Sequence, residues 1–427
     1  MKLKTPNFFR FKSQRERCIF LVIAGFYLIF LLARVSSENF YLFDSYEYLD
    51  VANNVQQLLF LEQGENYSSF AKRPPVYPIF LSLFLSFHPV IIMAVQSVIG
   101  CFSVLILFRI LNDFGIKLDN WFLGFLLLTP SVFIYTQLFM SEWLIFFLLS
   151  LLFFLLTRKQ FSAKNFALVQ LITLALAFTK PVFYPLIYLN FLFFGIYFIK
   201  KRRFSLWLFI PILVLQSYLN LNEKISGYRY FSTIENINLI SYNLYYFKSA
   251  TQSPEVAEVW IDSIYTPQYA ALSIKQQNDY LKNIAYAEIK NAPFSYGFYH
   301  IATAIRGIFD PGRFDLMTFF KKEDGKQGFL EIFNGMKSID ELFKDKLSYV
   351  YLLLIPIGVV NCVKLFYATS FVLTQKLDVR LYYLIVTLLA YILLTGPVNS
   401  SRYMMPLQGI IIVFALLGIN KKTQKFS

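Results

Sequence analysis

The sequence predicts an all-α polytopic membrane protein with about ten transmembrane helices. The first observation behind this fold class is composition, because 57% of the 427 residues are hydrophobic and only 15% are charged. A soluble fold of this length carries more charge and less apolar surface. The second observation is that apolar runs near the length of a bilayer crossing recur along the chain.

Ten apolar runs of about 15 to 21 residues are the predicted crossings, since about 20 apolar residues span the hydrocarbon layer. They cover residues 18–35, 90–110, 121–140, 143–157, 165–179, 182–199, 204–221, 348–366, 381–396 and 404–419. A shorter run at 75–87 reaches only about 20 Å as a helix. It is therefore predicted not to span.

The basic residues predict the orientation. A net charge of +14 indicates nucleic-acid binding in a soluble protein, but here Lys and Arg cluster in short segments between apolar runs. Because Lys and Arg prefer cytoplasmic loops, ten crossings and a cytoplasmic N-terminus place these clusters inside, including the one with Lys364 and Arg380. We therefore expect both termini to be cytoplasmic and expect no nucleic-acid partner.

This topology divides the chain into three segments. Residues 1–221 form an N-terminal transmembrane module, which contains the first extracytoplasmic loop at 36–89. Residues 222–347 form a larger, mostly helical extracytoplasmic loop domain, and residues 348–427 supply the C-terminal transmembrane helices.

The first extracytoplasmic loop opens with an amphipathic helix from about residue 44 to 59, which we expect to lie in the membrane interface. Asp44 stands at its start. One interpretation is a helix cap, with Glu47 three residues later completing a capping box. A carboxylate held at the membrane surface is also well placed to take a proton from an acceptor hydroxyl. The two roles are compatible.

Other charged residues recur at predicted extracytoplasmic helix ends. Lys72 and Arg73 precede a double proline, Lys180 ends the fifth crossing, and Arg402 follows the ninth. Glu142 stands between two apolar runs, where an acid needs a partner or an aqueous cavity. Each of the cations has an alternative role as an anchor in the lipid headgroups.

Taken together, these charges predict an extracytoplasmic cavity with acids and cations facing one another. Such a cavity suits an anionic, membrane-held substrate such as a polyprenyl-phosphate sugar. Asp44 and Glu142 could also share a divalent metal ion, and the sequence leaves that question open.

The motifs that carry these residues have a family likeness. They are FDSYEYLDVANNV (43–55), KRPPVYPIF (72–80), MSEWLIFFL (140–148), FTKPVFYP (178–185) and SRYMMPL (401–407). With the helix arrangement, they resemble the GT-C superfamily of integral-membrane glycosyltransferases. The similar branch contains the dolichyl-phosphate-mannose protein mannosyltransferases and the bacterial aminoarabinose transferases.

The resemblance implies a reaction and residue roles. Asp44 matches the family's catalytic aspartate, a base that activates the acceptor for inverting attack on the donor's anomeric carbon. Arg73 matches the basic residue at the donor phosphate, and Glu142 the second acid of the site. The remaining candidates in these motifs are Lys72, Lys180 and Arg402 for the donor phosphate, with Glu47, Tyr48, Tyr77 and Tyr403 nearby.

The implied protein is a glycosyltransferase of the bacterial inner membrane with an extracytoplasmic active site. It moves a sugar from a polyprenyl-phosphate donor to a hydroxyl or amine of a glycan, lipid or protein. Where the mannosyltransferases carry an Asp-Glu pair, this chain has Asp44-Ser45. The sugar and acceptor are therefore left open.

Two alternatives make different demands on the chain. An O-antigen ligase or polymerase would place its decisive residues in the large loop, for instance in RGIFDPGRFD (306–315). There Asp-Pro-Gly also signals a turn with local ion pairs. A lipid flippase or transporter would place ionisable residues near the membrane centre of several helices, whereas the predicted helix centres are almost uncharged.

Overall fold

The computed structural model describes residues 11–36, 40–57, 67–158, 161–202, 204–320 and 348–420. Every regular element in these ranges is a helix, so the predicted all-α class is confirmed for the described chain. The helices of the first half are α1 Gln14–Val35, α2 Phe43–Gln56, α3 Tyr67–Lys72, α4 Val76–Ser82, α5 Pro89–Asp113, α6 Asn120–Leu127, α7 Ser131–Ile134, α8 Glu142–Leu156, α9 Ala163–Thr179, α10 Pro185–Lys200 and α11 Ile210–Ser226.

The second half begins with a series of shorter helices. These are α12 Ile234–Asn238, α13 Tyr245–Thr251, α14 Pro254–Ile264, α15 Pro267–Ala270, α16 Ile274–Asn291, α17 Pro293–Ile308 and α18 Arg313–Phe319. A π-helical segment, Leu239–Leu244, joins α12 to α13. The last helices are α19 Ser348–Thr374, α20 Val379–Thr395, α21 Ser401–Met404 and α22 Gln408–Ile419.

The protein is a membrane protein. Six helical stretches in the described chain are long and apolar enough to cross a bilayer. They are Gln14–Val35, Pro89–Asp113, Pro181–Lys200, Leu352–Thr374, Val379–Val398 and Ser401–Ile419. Glu142–Leu156 and Ala163–Thr179 are apolar but shorter.

The predicted crossing at 121–140 is not one continuous helix. Pro130 follows Thr129 between α6 and α7, and a proline has no N–H to donate to the preceding turn. The predicted crossing at 204–221 corresponds in part to α11, a 17-residue helix whose last turns contain Glu223 and Lys224. Ten crossings therefore remain a prediction.

Contacts made by three arginines define one end of the bundle. We call it the opposite end, because it lies opposite the candidate functional site described below. Arg15 of α1 donates to Asn120 at the start of α6, at 3.2 Å. Arg158 after α8 pairs with Asp113 at the end of α5, at 3.3 Å. Arg380 at the start of α20 donates to the Arg158 carbonyl, at 2.8 Å. Four segments that are distant in sequence thus meet there.

Lys364 does not belong to that end, contrary to its predicted place in a cytoplasmic cluster. It lies buried in the middle of α19, where its ammonium donates to Thr129 Oγ1 and to Gln408 Oε1, each at 2.8 Å. The apolar run had ended at residue 366, but the helix continues to Thr374 and so centres Lys364.

Candidate functional site

The helix ends opposite those basic contacts gather the predicted site residues, and we call this the site end. Arg402 in α21 is its central residue. Its Nε donates to Glu142 Oε1 at 2.7 Å, and its Nη2 pairs with Asp44 Oδ2. One guanidinium therefore joins α21 to α2 and α8.

Asp44 is not the helix cap that the sequence suggested. Leu42 is the N-terminal cap residue of α2, and the Ser45 hydroxyl accepts its backbone N–H at 2.9 Å. This leaves Asp44 in the first helical turn with its carboxylate pointing at cations instead of at its own backbone. Asp44 Oδ1 accepts from Arg73 Nη2 at 2.8 Å, and Oδ2 pairs with Arg402.

Arg73 is fixed both through its backbone and through its side chain. It follows α3, where its backbone N–H donates to the Ser69 carbonyl at 2.9 Å, and Pro74 and Pro75 then prevent the helix from continuing. Its Nε donates to Glu47 Oε2 at 2.6 Å. Since Glu47 lies one turn after Asp44 on α2, one arginine binds two successive carboxylates of that helix face.

Lys72 completes this side of the network. Its ammonium pairs with Glu47 Oε1 at 3.0 Å, and the two side chains are 28% and 25% exposed. Glu47 therefore receives both neighbouring cations, one on each oxygen.

Lys180 reaches Glu142 from α9. It is the C-terminal cap residue of that helix, in an extended conformation that suits a residue before proline. Its ammonium pairs with Glu142 Oε1 at 2.9 Å and stands 4.4 Å from the centre of the Tyr403 ring. Glu142 opens α8, where the positive end of the helix dipole also favours a carboxylate.

The aromatic rings of Tyr48 and Tyr77 pack beneath the ion pairs. The Arg73 guanidinium lies 5.1 Å from the centre of the Tyr48 ring, within cation–π range. The Tyr48 hydroxyl is 3.1 Å from Ser141 Oγ, and the two tyrosine rings meet edge to face. Tyr77 donates to Gln96 Oε1 at 3.1 Å. All ten predicted site residues thus lie in one connected cluster.

The cluster carries an excess of positive charge. Asp44, Glu47 and Glu142 are the three carboxylates, and the four cations are Lys72, Arg73, Lys180 and Arg402. One positive charge is left after pairing. The Glu142 side chain is fully buried, whereas those of Asp44 and Glu47 are 24% and 25% exposed, so Asp44 is one of two acids that face solvent.

The neighbouring arginines set the ionisation of Asp44. Burial alone would raise the pKa of this carboxyl, but the charges of Arg402 and Arg73 and the hydrogen bond from Arg402 outweigh burial and hold the pKa well below its usual range. Burial also disfavours the charged form of Arg73 and would lower its pKa. The nearby Asp44, Tyr48 and Glu47 outweigh burial and raise the pKa of Arg73. Asp44 is therefore a carboxylate at any physiological pH.

Two further residues of the site were missed by sequence reasoning. The π-helical segment Leu239–Leu244 presents Tyr242, whose side chain is 42% exposed. Burial raises the pKa of Tyr242, nearby Asp44 adds to the rise, and Arg402 and Arg73 oppose it, which puts this hydroxyl in the field of the network. The Tyr246 ring lies beside that of Tyr242 in a tilted arrangement, with 6.3 Å between the ring centres. In a chain with 29 tyrosines, neither stands out by composition.

The segment RGIFDPGRFD (306–315) supports Arg402 indirectly. Asp310 accepts the Gly312 N–H at 3.0 Å, which closes a local turn, and its second oxygen accepts the Ser401 N–H at 2.9 Å. Asp315 is buried and accepts from the Tyr135 hydroxyl at 2.6 Å. Asp310 thus fixes the backbone next to Arg402.

A metal site is not evident in the described part of the chain. No group of three or more His, Cys, Asp or Glu side chains is close enough there to hold an ion. Asp44 and Glu142, the two acids considered as metal ligands, are joined instead through Arg402.

No protein-family model, curated protein or solved structure matches this chain.

Proposed function

We propose that the protein is an inverting glycosyltransferase of the GT-C type. It would transfer one sugar from a polyprenyl-phosphate donor to a hydroxyl or amine of a glycan, lipid or protein on the extracytoplasmic face. The observation that carries the proposal is the position of Asp44, a partly exposed carboxylate between Arg73 and Arg402 at the end of a membrane helix bundle.

The orientation rests on the charge distribution. Arg15, Arg158 and Arg380 meet at the opposite end, and Lys and Arg near transmembrane ends favour the cytoplasm. The site end would then face away from the cytoplasm, in a bacterial inner membrane.

The proposed reaction is a single displacement. The acceptor oxygen or nitrogen attacks the anomeric carbon, its proton passes to Asp44, and the bond from the anomeric carbon to the phosphate oxygen breaks. The polyprenyl phosphate leaves with that electron pair. Because negative charge grows on the phosphate, Arg73, Arg402 and Lys180 would stabilise the transition state more than the ground state.

The charge balance of the cluster supports a phosphodiester donor. A sugar joined to a polyprenyl phosphate carries one negative charge, and the cluster has one positive charge left over. A bound phosphate would also share the arginines that now bind Asp44. Their weaker hold would raise the basicity of Asp44 when the donor is present.

The surface beside the cluster suits a long isoprenoid. An apolar groove of about 500 Å³ is lined by Pro311 and by α19 residues between Leu354 and Val363. Asp310, which precedes Pro311, accepts the N–H of Ser401, next to Arg402. A chain in the groove would therefore lead toward the cations that hold its phosphate.

The test is a transfer assay in membranes that contain the full-length protein. A panel of radiolabelled polyprenyl-phosphate sugars is supplied and loss of sugar from each donor is followed. For the donor that is used, Asp44→Asn should lower transfer about 10²- to 10⁴-fold, the contribution of a general base. Binding of the donor should persist.

The matched control is Asp50→Asn on the same helix. Asp50 accepts from Ser69 at 3.1 Å and takes no part in the Asp44 network, so its amide should keep near-normal transfer. Full activity of the Asp44→Asn protein would exclude Asp44 as the base. Consumption of no donor by the wild-type protein would count against the glycosyltransferase as a whole.

A further inference from the structure

Helix α17 exposes an apolar face although it belongs to the loop domain rather than to a membrane-spanning helix. Its large exposed side chains repeat at helical spacing: Phe294, Phe298, Ile301 and Ile305, with Phe294 91% and Phe298 78% exposed. Within α17, Ser295 and Arg306 are the exposed polar residues. A continuous apolar face of this size on an extramembrane helix marks an interaction surface.

The other face of α17 is anchored to α20. The His300 Nε2–H donates to the Leu393 carbonyl at 2.7 Å, and its Nδ1 faces the Tyr296 hydroxyl. Leu393 lies two residues before the end of α20, a stretch apolar enough to span. Contact with α20 therefore occurs at the rim of the bundle.

Two glycines permit this close packing. A Cβ on Gly396, which has φ +51°, would come within 2.2 Å of the His300 ring. A Cβ on Gly307 of α17 would come within 2.5 Å of the Asn399 carbonyl oxygen. Asn399 also donates to the Ala304 carbonyl at 2.7 Å. Helix α17 is thus fixed in depth and rotation against the segment 396–399.

Helix α20 also exposes apolar side chains near its contact with α17. Leu389 and Leu393 of α20 are 54% and 47% exposed, and α20 is one of the helices long and apolar enough to cross the bilayer. Lipid acyl chains cover the outward-facing surface of a membrane-spanning helix. Because α17 is packed on the same helix near its end, the same acyl chains can reach its face.

We infer that α17 lies in the membrane interface, with Phe294, Phe298, Ile301 and Ile305 buried among lipid acyl chains. The loop domain is then embedded in the interface through this helix, rather than suspended in water above the bundle. The partner is lipid hydrocarbon of the leaflet next to the site end. This inference does not depend on the reaction proposed above.

Helix α16 offers a matched comparison, because only Ala292 separates it from α17. Its exposed residues are mostly polar and include Lys275, Lys282 and Asn283, with Tyr280 and Tyr286 as the large aromatic ones. The polar residues among them should contact water.

The test adds one tryptophan to the full-length protein at Phe298 or at Lys282. Each variant is reconstituted in phosphatidylcholine vesicles with or without bromine atoms on the acyl chains. The four native tryptophans contribute the same background to both variants. Bromine quenches tryptophan only at short range, so the excess quenching reports contact of the added side chain with lipid.

We expect brominated lipid to quench Phe298→Trp more strongly than Lys282→Trp, and aqueous iodide to show the reverse order. Ile301→Trp, on the same face, should behave like Phe298→Trp. Equal quenching of Phe298→Trp and Lys282→Trp by brominated lipid would overturn the inference. Protection of Phe298→Trp from both quenchers would also overturn it, since protein would then cover the face.

Discussion

The two ends of the helix bundle both hold charged residues, but they use them differently. At the opposite end, Arg158 and Asp113 meet at 3.3 Å with side chains 32% and 44% exposed. At the site end, Glu142 is fully buried and bound by Lys180 and Arg402, which are 10% and 16% exposed. One end carries a solvated pair at the rim, and the other a network that is largely desolvated around Glu142.

This difference distinguishes the exposed charges of the opposite end, which suffice to orient helices, from the buried charges of the site end. Exposed pairs contribute little to stability because water already solvates both partners. Buried pairs cost desolvation, and removing one partner leaves the other charge uncompensated. Charges that serve only to orient helices have no need of burial, so the buried charges of the site end are the ones to which we assign the proposed binding role.

Glu142→Gln should produce the largest loss of stability. It removes the counter-charge of Lys180 and one of the two carboxylates that bind Arg402, and breaking a buried pair typically costs about 3–5 kcal/mol. Denaturant unfolding of the purified protein in detergent measures this cost. A loss below about 1 kcal/mol would mean that the site end is as well solvated as the opposite end.

Arg402→Lys should have an intermediate effect. A lysine ammonium lacks the planar fork that lets one guanidinium bind Asp44 and Glu142 together, so at least one charged hydrogen bond is lost. We expect about 1.5–3 kcal/mol of destabilisation in the same unfolding assay. The control is Arg158→Lys, which keeps its exposed pairing and should stay within about 0.5 kcal/mol of the wild type.

Asp113→Asn should have the smallest effect. It removes the exposed carboxylate that pairs with Arg158, so the free energy of unfolding should fall by about 0–1 kcal/mol. Destabilisation equal to that of Glu142→Gln, measured side by side, would erase the distinction between the two ends.

The sequence predicts the membrane class and each charged site residue, because an acid or cation at the end of an apolar run is conspicuous. It does not predict how they pair. Asp44 and Arg402 are separated by 358 positions, and only the packing of the helices brings them together. The same limit explains why the sequence suggests a cap at Asp44. The spacing of Asp44 and Glu47 fits a capping box, whereas in the structure the Ser45 hydroxyl accepts the Leu42 N–H at the start of the helix.

Other features left weaker signals. The position of Tyr242 depends on a π-helical segment, and no distinctive residue pattern marks such a segment in the sequence. Lys364 is predicted to belong to a cytoplasmic cluster at the end of the crossing 348–366, because hydropathy falls before the helix ends at Thr374. The apolar spacing of α17 is readable in the sequence, but its exposure depends on which face packs against the segment 396–399.

The bridge from Arg402 to Asp44 and Glu142 also has a consequence for biogenesis. A membrane protein is inserted from its N-terminus onward, so Asp44 and Glu142 enter the membrane region long before Arg402 is synthesised. Until α21 is in place, Glu142 has Lys180 and Asp44 has Arg73, each with one cation fewer than in the finished protein. Completion of the network therefore coincides with insertion of the last helix, and a partly inserted chain would carry an unfinished site.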